Sequence, residues 1–192
     1  WRFWIKESFA PSANNYTDVW LCADSADLQQ STSGYFLRFG EALANDAITL
    51  FRKDADGQQE LCRGREGAIA ASFAVSLKVV CDREGYWMIQ TCYDNSGVYT
   101  VEAEGTDDTY GRNGYFGFYS KFTSSNAKKV YYDEVYVGPY VVDHKPPVLL
   151  SCEVIDPSHL KLCFDEALDE ASALAPAHYS MDYGWGSPMA RS

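Results

Sequence analysis

Apolar and polar positions alternate most cleanly over residues 73–94, FAVSLKVVCDREGYWMIQTCYD. Phe73, Val75, Leu77, Val79 and Cys81 point one way, while Ser72, Ser76, Lys78 and Asp82 point the other, the period of two expected of a half-buried strand. On a second strand Trp87, Ile89, Thr91 and Tyr93 share a face. Between them Arg83, Glu84 and Gly85 make a three-residue turn, with glycine last, where a left-handed conformation closes a bulged hairpin. This register sets Cys81 opposite Trp87, Val79 opposite Ile89 and Leu77 opposite Thr91, so one face stays apolar throughout. The hairpin is the centre of the predicted fold.

The same alternation marks further strands at 1–9, 18–23, 35–39, 47–51, 60–63, 98–104, 115–123 and 129–137. Turn signals separate several of them, at Pro11-Ser12, Asp56-Gly57, Asn95-Ser96-Gly97 and residues 124–126. The last strand changes parity: Val130 and Tyr132 share one face, Val135 and Val137 the other. A bulge at Asp133-Glu134 would return all four to the core side. Roughly ten strands with turns every 8–12 residues, and no helical periodicity, predict an all-β fold, a two-sheet antiparallel β-sandwich.

Composition shifts at Gly138. Residues 1–138 read as the sandwich and 139–147, rich in proline, as a linker. Residues 148–192 begin a second β unit, with a strand at 160–164 and an acidic loop or single helical turn at 165–174. About 45 residues are too few for an independent sandwich, so this unit reads as a domain cut short. If Pro157-Ser158 is a two-residue turn, Cys152 falls directly opposite Cys163, at a separation a disulfide can bridge. Two buried thiols are the alternative. The chain opens at Trp1 in the middle of a strand, and we read it as a processed or truncated piece.

Charge narrows the partners. The 192 residues carry a net charge of −11 and a pI near 4.6. Such a surface repels phosphate backbones and anionic headgroups, which argues against nucleic acid and membrane surfaces. No apolar run is long enough to span a membrane. The six cysteines show no C-x-x-C spacing, which argues against zinc ribbons and thioredoxin-like redox sites.

The strings PSANNYTDVWLCADSADL, GYFLRFGE, ITLFRKDADG, DREGYWMI, YFGFYSKFTSS and VYYDEVYVG resemble a concanavalin A-like, laminin-G-type module. Such modules occur in secreted or surface proteins of Bacteroidetes-type bacteria, often beside lamin-tail and Ig-like domains. The resemblance covers residues 1–142. The tail PPVLLSCEVIDPSHLKLCFDEALDEASALAPAHYSMD resembles the opening of a bacterial Ig-like domain. The resemblance implies a jelly-roll fold, an extracytoplasmic location and neighbouring Ig-like or lamin-tail domains. It also implies that strands found before Trp1 in relatives are missing here. It implies no activity.

Candidate chemistry is sparse. His144, His159 and His178 all lie in the linker and tail, so the sandwich lacks a Ser-His-Asp or Cys-His pair and a histidine metal site. Laminarinase-type enzymes of the resembled fold place E-x-D-x-x-E on one strand. Here Glu102, Glu104 and Asp107 give E-x-E-x-x-D; alternation puts Glu102 and Glu104 on one face, but Gly105-Thr106 interrupts the strand. Asp94-Asn95 and Asp107-Asp108 are candidate calcium ligands, whereas Asp54-x-Asp56-Gly57 reads as a turn. Tyr86, Tyr99 and Tyr110 are candidate sugar-stacking aromatics, against the plainer reading of half-buried framework tyrosines. Asp133 and Glu134 are assigned to the bulge. The leading expectation is a non-catalytic, lectin-like module that binds glycan or another surface component. The alternatives are a spacer without ligand and a glycoside hydrolase built on Glu102, Glu104 or Asp107.

Overall fold

The computed structural model describes residues 1–42, 45–140, 145–168 and 173–180. The chain divides into two compact units, Trp1–Tyr140 and Val141–Ser192. The first holds β1 (Arg2–Glu7), β2 (Tyr16–Ala23), β3 (Gly34–Phe39), β4 (Ile48–Asp54), β5 (Gly57–Arg63), β6 (Phe73–Cys81), β7 (Tyr86–Cys92), β8 (Thr100–Thr106), β9 (Tyr115–Lys121) and β10 (Val130–Tyr136). They form two five-stranded sheets, ordered β10-β1-β6-β7-β8 and β5-β4-β3-β2-β9, with antiparallel neighbours. The fold is a β-sandwich. Among the described residues no helix is long and apolar enough to cross a membrane.

The central hairpin has the register its sequence dictates: Cys81 faces Trp87, Val79 faces Ile89 and Leu77 faces Thr91. Gly85 closes it at φ +82°, and a Cβ there would sit 2.7 Å from the Asp108 Cβ. Both the conformation and the space therefore demand glycine. Inward positions of the two sheets build one core, in which Phe3, Leu37, Leu77, Trp87 and Ile89 are fully buried. Each such side chain contributes about 1.5–3 kcal/mol by leaving water. Phe3 adds edge-to-face packing on Phe118, with ring centroids 5.8 Å apart at 83°.

The strand β2 departs from simple alternation: seven of its eight residues are buried. Its outward Trp20 packs with Phe36, Phe51, Leu28 and Tyr119 in a second cluster on the outer face of its sheet. Residues 24–33, polar enough to read as a plain connection, are held together by Asp24. That carboxylate accepts hydrogen bonds from the Ser31, Thr32 and Ser33 hydroxyls and from the Thr32 N–H.

In β10 the pairing steps from Trp4–Asp133 to Arg2–Tyr136, with Glu134 at φ +54°. The bulge lies where the parity change requires it, but it does not bury the residues beyond it. Val135 and Val137, at and just past the end of β10, are 50% and 51% exposed, since among the described residues β10 is an edge strand with β1 as its one sheet neighbour.

The second unit contains a hairpin of β11 (Leu149–Asp156) and β12 (His159–Phe164). Asp156 faces His159 across Pro157-Ser158, as the two-residue turn predicts, but the register then shifts between Val154 and Asp156. The expected Cys152–Cys163 facing is corrected: Cys152 opposes Leu162, and Cys163 opposes Ser151. Facing residues share a side and successive ones alternate, so the two cysteines lie on opposite faces. Both are exposed free thiols. At the base of the hairpin Asp165 accepts hydrogen bonds from the Val148 N–H at 2.7 Å and the Lys145 ammonium at 2.8 Å. Parts of the linker at 141–144, His144 among them, lie outside the described residues. So do parts of the Ig-like expectation, at 169–172 and 181–192.

Candidate functional site

On β1, Phe3 and Ile5 face the core, so Trp4 faces outward. Its neighbours across the sheet extend one row over four strands: Asp133 of β10, Trp4, Ser76 of β6 and Cys92 of β7. Ser76 and Cys92 are short and buried in the row, which leaves the space beside the larger indole unfilled. The β10 bulge supplies a second wall. Regular alternation would send Asp133 and Glu134 to opposite faces, but the left-handed Glu134 interrupts it, and both border the same depression.

The third wall is the connection from β7 to β8. Asp94 accepts hydrogen bonds from the Ser96 N–H at 3.1 Å and the Cys92 thiol at 3.3 Å. Hydrogen bonds from Ser96, from its side chain and then its N–H, hold the Asp94 carboxyl down at about 2. Asn95 follows at φ +58°, and the chain returns through Gly97 to Tyr99. Burial raises the Tyr99 phenol, and a hydrogen bond with Ser76 works against that rise. The Lys78 ammonium lies 4.0 Å from the Tyr99 ring centroid. The result is a groove of about 480 Å³ lined by Trp4, Ser76, Cys92, Asn95, Gly97, Tyr99, Asp133 and Glu134.

Of the residues singled out in the sequence, Tyr99 and Asn95 meet here. The others do not. Tyr86 stands at the end of the central hairpin, where its hydroxyl donates to Glu104. The Tyr110 ring packs edge-on to Tyr35 with centroids 6.0 Å apart, and its N–H donates to the Tyr35 hydroxyl. Asp107 is an internal tie. One carboxylate oxygen accepts from the Tyr35 hydroxyl and the other from Arg52, while its carbonyl accepts from the Trp87 indole at 3.0 Å. Burial opposes ionisation of Asp107, but the hydrogen bonds from Tyr35, Thr109 and Arg52 outweigh it and keep the carboxyl below its ordinary range. Asp108 lies against the Gly85 turn. Asp94-Asn95 and Asp107-Asp108 are thus drawn into separate local roles. Among the described residues no group of three or more His, Cys, Asp or Glu side chains is placed to hold a metal ion.

The shared face expected for Glu102 and Glu104 is corrected. Ile89 faces Ala103 but Gln90 faces Val101, so Glu102 is the extra residue of a bulge. It reaches the buried Thr91 hydroxyl at 2.9 Å and the Arg65 N–H at 2.7 Å. Glu104 faces Met88 on the outer side and accepts from Tyr86. The three acids proposed for hydrolysis therefore point to three different places.

Trp4, Ser76, Asp133 and Glu134 were missed as a group because they come from three strands. One signal was present: in WRFWIKE an indole occupies the same phase as Arg2 and Lys6. No family model, no curated protein and no solved structure matches the chain.

Proposed function

We propose that the sandwich is a non-catalytic, lectin-like module of the concanavalin A-like, laminin-G type that binds glycan through the groove at Trp4. The observation that carries this reading is an outward indole beside two carboxylates and a side-chain amide in one groove. A pyranose presents an apolar C–H face, which stacks on an aromatic ring, and a rim of hydroxyls, which needs polar partners. Carboxylates accept only, so Asp133 and Glu134 suit the hydroxyl protons of a neutral sugar, while Asn95 and Ser76 can donate. Two carboxylates in the wall disfavour uronate and sulfated sugars by like-charge repulsion. The volume falls within the range of about 300–1,000 Å³ typical of small-molecule sites.

The setting proposed with it is a secreted or cell-surface bacterial protein, in which the second unit begins an Ig-like domain. A glycan array probed with the full chain, with calcium and again with EDTA, tests the reading. Binding that Trp4→Ala or Tyr99→Ala abolishes is the expected result, and loss in EDTA would add a calcium ion to the site. A blank array from folded protein, or binding indifferent to Trp4→Ala, overturns it and leaves a spacer module.

A further inference from the structure

Glu7, the last residue of β1, is fully buried. Alternation puts it on the core side with Phe3 and Ile5, and there its carboxyl reaches the facing sheet. The Thr17 hydroxyl of β2 donates to Glu7 Oε1 at 2.6 Å, and Thr17 Oγ1 lies 2.9 Å from Ser120 Oγ of β9. Ser120 in turn hydrogen-bonds the Tyr132 hydroxyl of β10. Four side chains from four strands, two in each sheet, form one line across the interior. It ends on the two edge strands β9 and β10.

The other carboxyl oxygen, Oε2, is buried and has no hydrogen-bond partner among the described residues. The surrounding charges do not help it. Asp46, 2% exposed, acts on Glu7 as a like charge and has Glu41 and Arg63 as its own charged neighbours. The titratable group facing it from β10 is Tyr132, β2 offers Thr17, and β6 offers the apolar Phe73. Among the described residues no basic side chain is a source of the Glu7 shift. Burial is the main force and Asp46 adds to it, against the Thr17 hydrogen bond, so that the carboxyl is raised to about 7.

We propose that Glu7 is a proton-operated latch: the neutral acid closes the two sheets along the β9–β10 edge, and loss of its proton releases β10. An ionised Oε2 needs solvation that no neighbour among the described residues supplies. Water has the shortest way in past the start of β10, an edge strand on which Val130 pairs with Glu7 and the next residue, Tyr131, is 47% exposed. Ionisation therefore favours arrangements in which β10 lifts and Tyr132 leaves the line. The inference goes beyond the glycan reading and stands without it.

Amide hydrogen exchange of the full chain tests the latch, with rates corrected for the intrinsic pH effect. Between about pH 6 and pH 8 the protection of β9 and β10 should fall about tenfold, the ratio for a buried acid that titrates normally once released. Protection of β3 and β4 should hold. Glu7→Gln should keep β9 and β10 protected across the range. An equal loss in Glu7→Gln, or flat protection in the wild type, overturns the latch. A ¹³C titration of the wild-type Glu7 carboxyl decides the matter even if the variant does not fold: a midpoint near neutrality is expected, and one below about pH 5 overturns the proposal.

Discussion

Each sheet carries a tryptophan on the outer face of the strand next to its edge, and the two meet different fates. Trp20 lies in a row with Gly117, Phe36 and Phe51, whereas Trp4 lies in a row with Asp133, Ser76 and Cys92. Around Trp20 the neighbours are large and apolar, and Phe36 stacks on Phe51 at 5.4 Å. Gly117 makes room for Leu28 of the covering loop, whose Cδ1 would stand 3.0 Å from a Cβ at that position. Arg38 seals the margin, bidentate to Asp18 at 2.7 and 2.8 Å, with its guanidinium 4.8 Å from the Tyr16 ring. The loop over Trp4 is built differently. Asp94 bonds to its own turn, and the apolar residue of that loop, Val98, is 52% exposed. An outward tryptophan therefore becomes part of a packed cluster or the wall of an open groove according to the loop that follows and the size of its row neighbours.

The largest break in this comparison comes from truncating each face. Phe36→Ala on the sealed side should cost about 3–5 kcal/mol in urea unfolding, as a buried aromatic deletion does. Trp4→Ala removes a half-buried indole and should cost less, about 1–2 kcal/mol, while abolishing glycan binding. Equal costs would make the groove a second piece of core.

The interior between the faces gives the next effect. A carboxyl raised to about 7 in the fold from 4.5 outside it stabilises the sandwich fully below about pH 4.5. That contribution is lost as pH rises through 7. The loss should reach about 3 kcal/mol, at 1.36 kcal/mol per pKa unit, and Glu7→Gln should flatten it in thermal melts over that window. A wild-type melting temperature that is constant from pH 5 to 8 would contradict the assignment.

Asp24→Ala sharpens the contrast between the two loops. It removes four hydrogen bonds from an exposed carboxylate, so the expected cost is only about 1 kcal/mol. Limited proteolysis should then cut within residues 24–33, and the wild-type loop should resist it under the same conditions. The smallest effect belongs to Tyr86→Ala, away from both tryptophans: stability within about 0.5 kcal/mol and glycan binding unchanged. Lost binding would move the site to the end of the central hairpin.

Much of the fold was legible in the sequence because its determinants are local. The alternation at 73–81 and 86–92, with glycine at the third turn position, leaves one register that keeps Trp87 and Ile89 inside. Parity alone located the β10 bulge. Bulges at Glu102 and in β11 left no parity signal, since they fall where polar and apolar residues carry little preference for a side. One extra residue in each was enough to separate Glu102 from Glu104 and Cys152 from Cys163. The site was legible only in fragments. Tyr99 and Asn95 could be named, but Tyr110 and Asp107, chosen on the same grounds, turned out to brace Tyr35.

By itself the sequence determined where most strands lie, several of the turns that join them and which residues of the central hairpin face inward, because a period of two and a positive φ are properties of a few adjacent residues. Tertiary structure alone decided that Trp20 is buried and Trp4 only half-buried, that Asp133 and Glu134 share a groove with Tyr99, and that Glu7 lies between the sheets with no counter-charge among the described residues. Each of these depends on residues far apart in the chain, and the cost of burying an indole or a carboxyl is set by whatever the other sheet or loop brings against it.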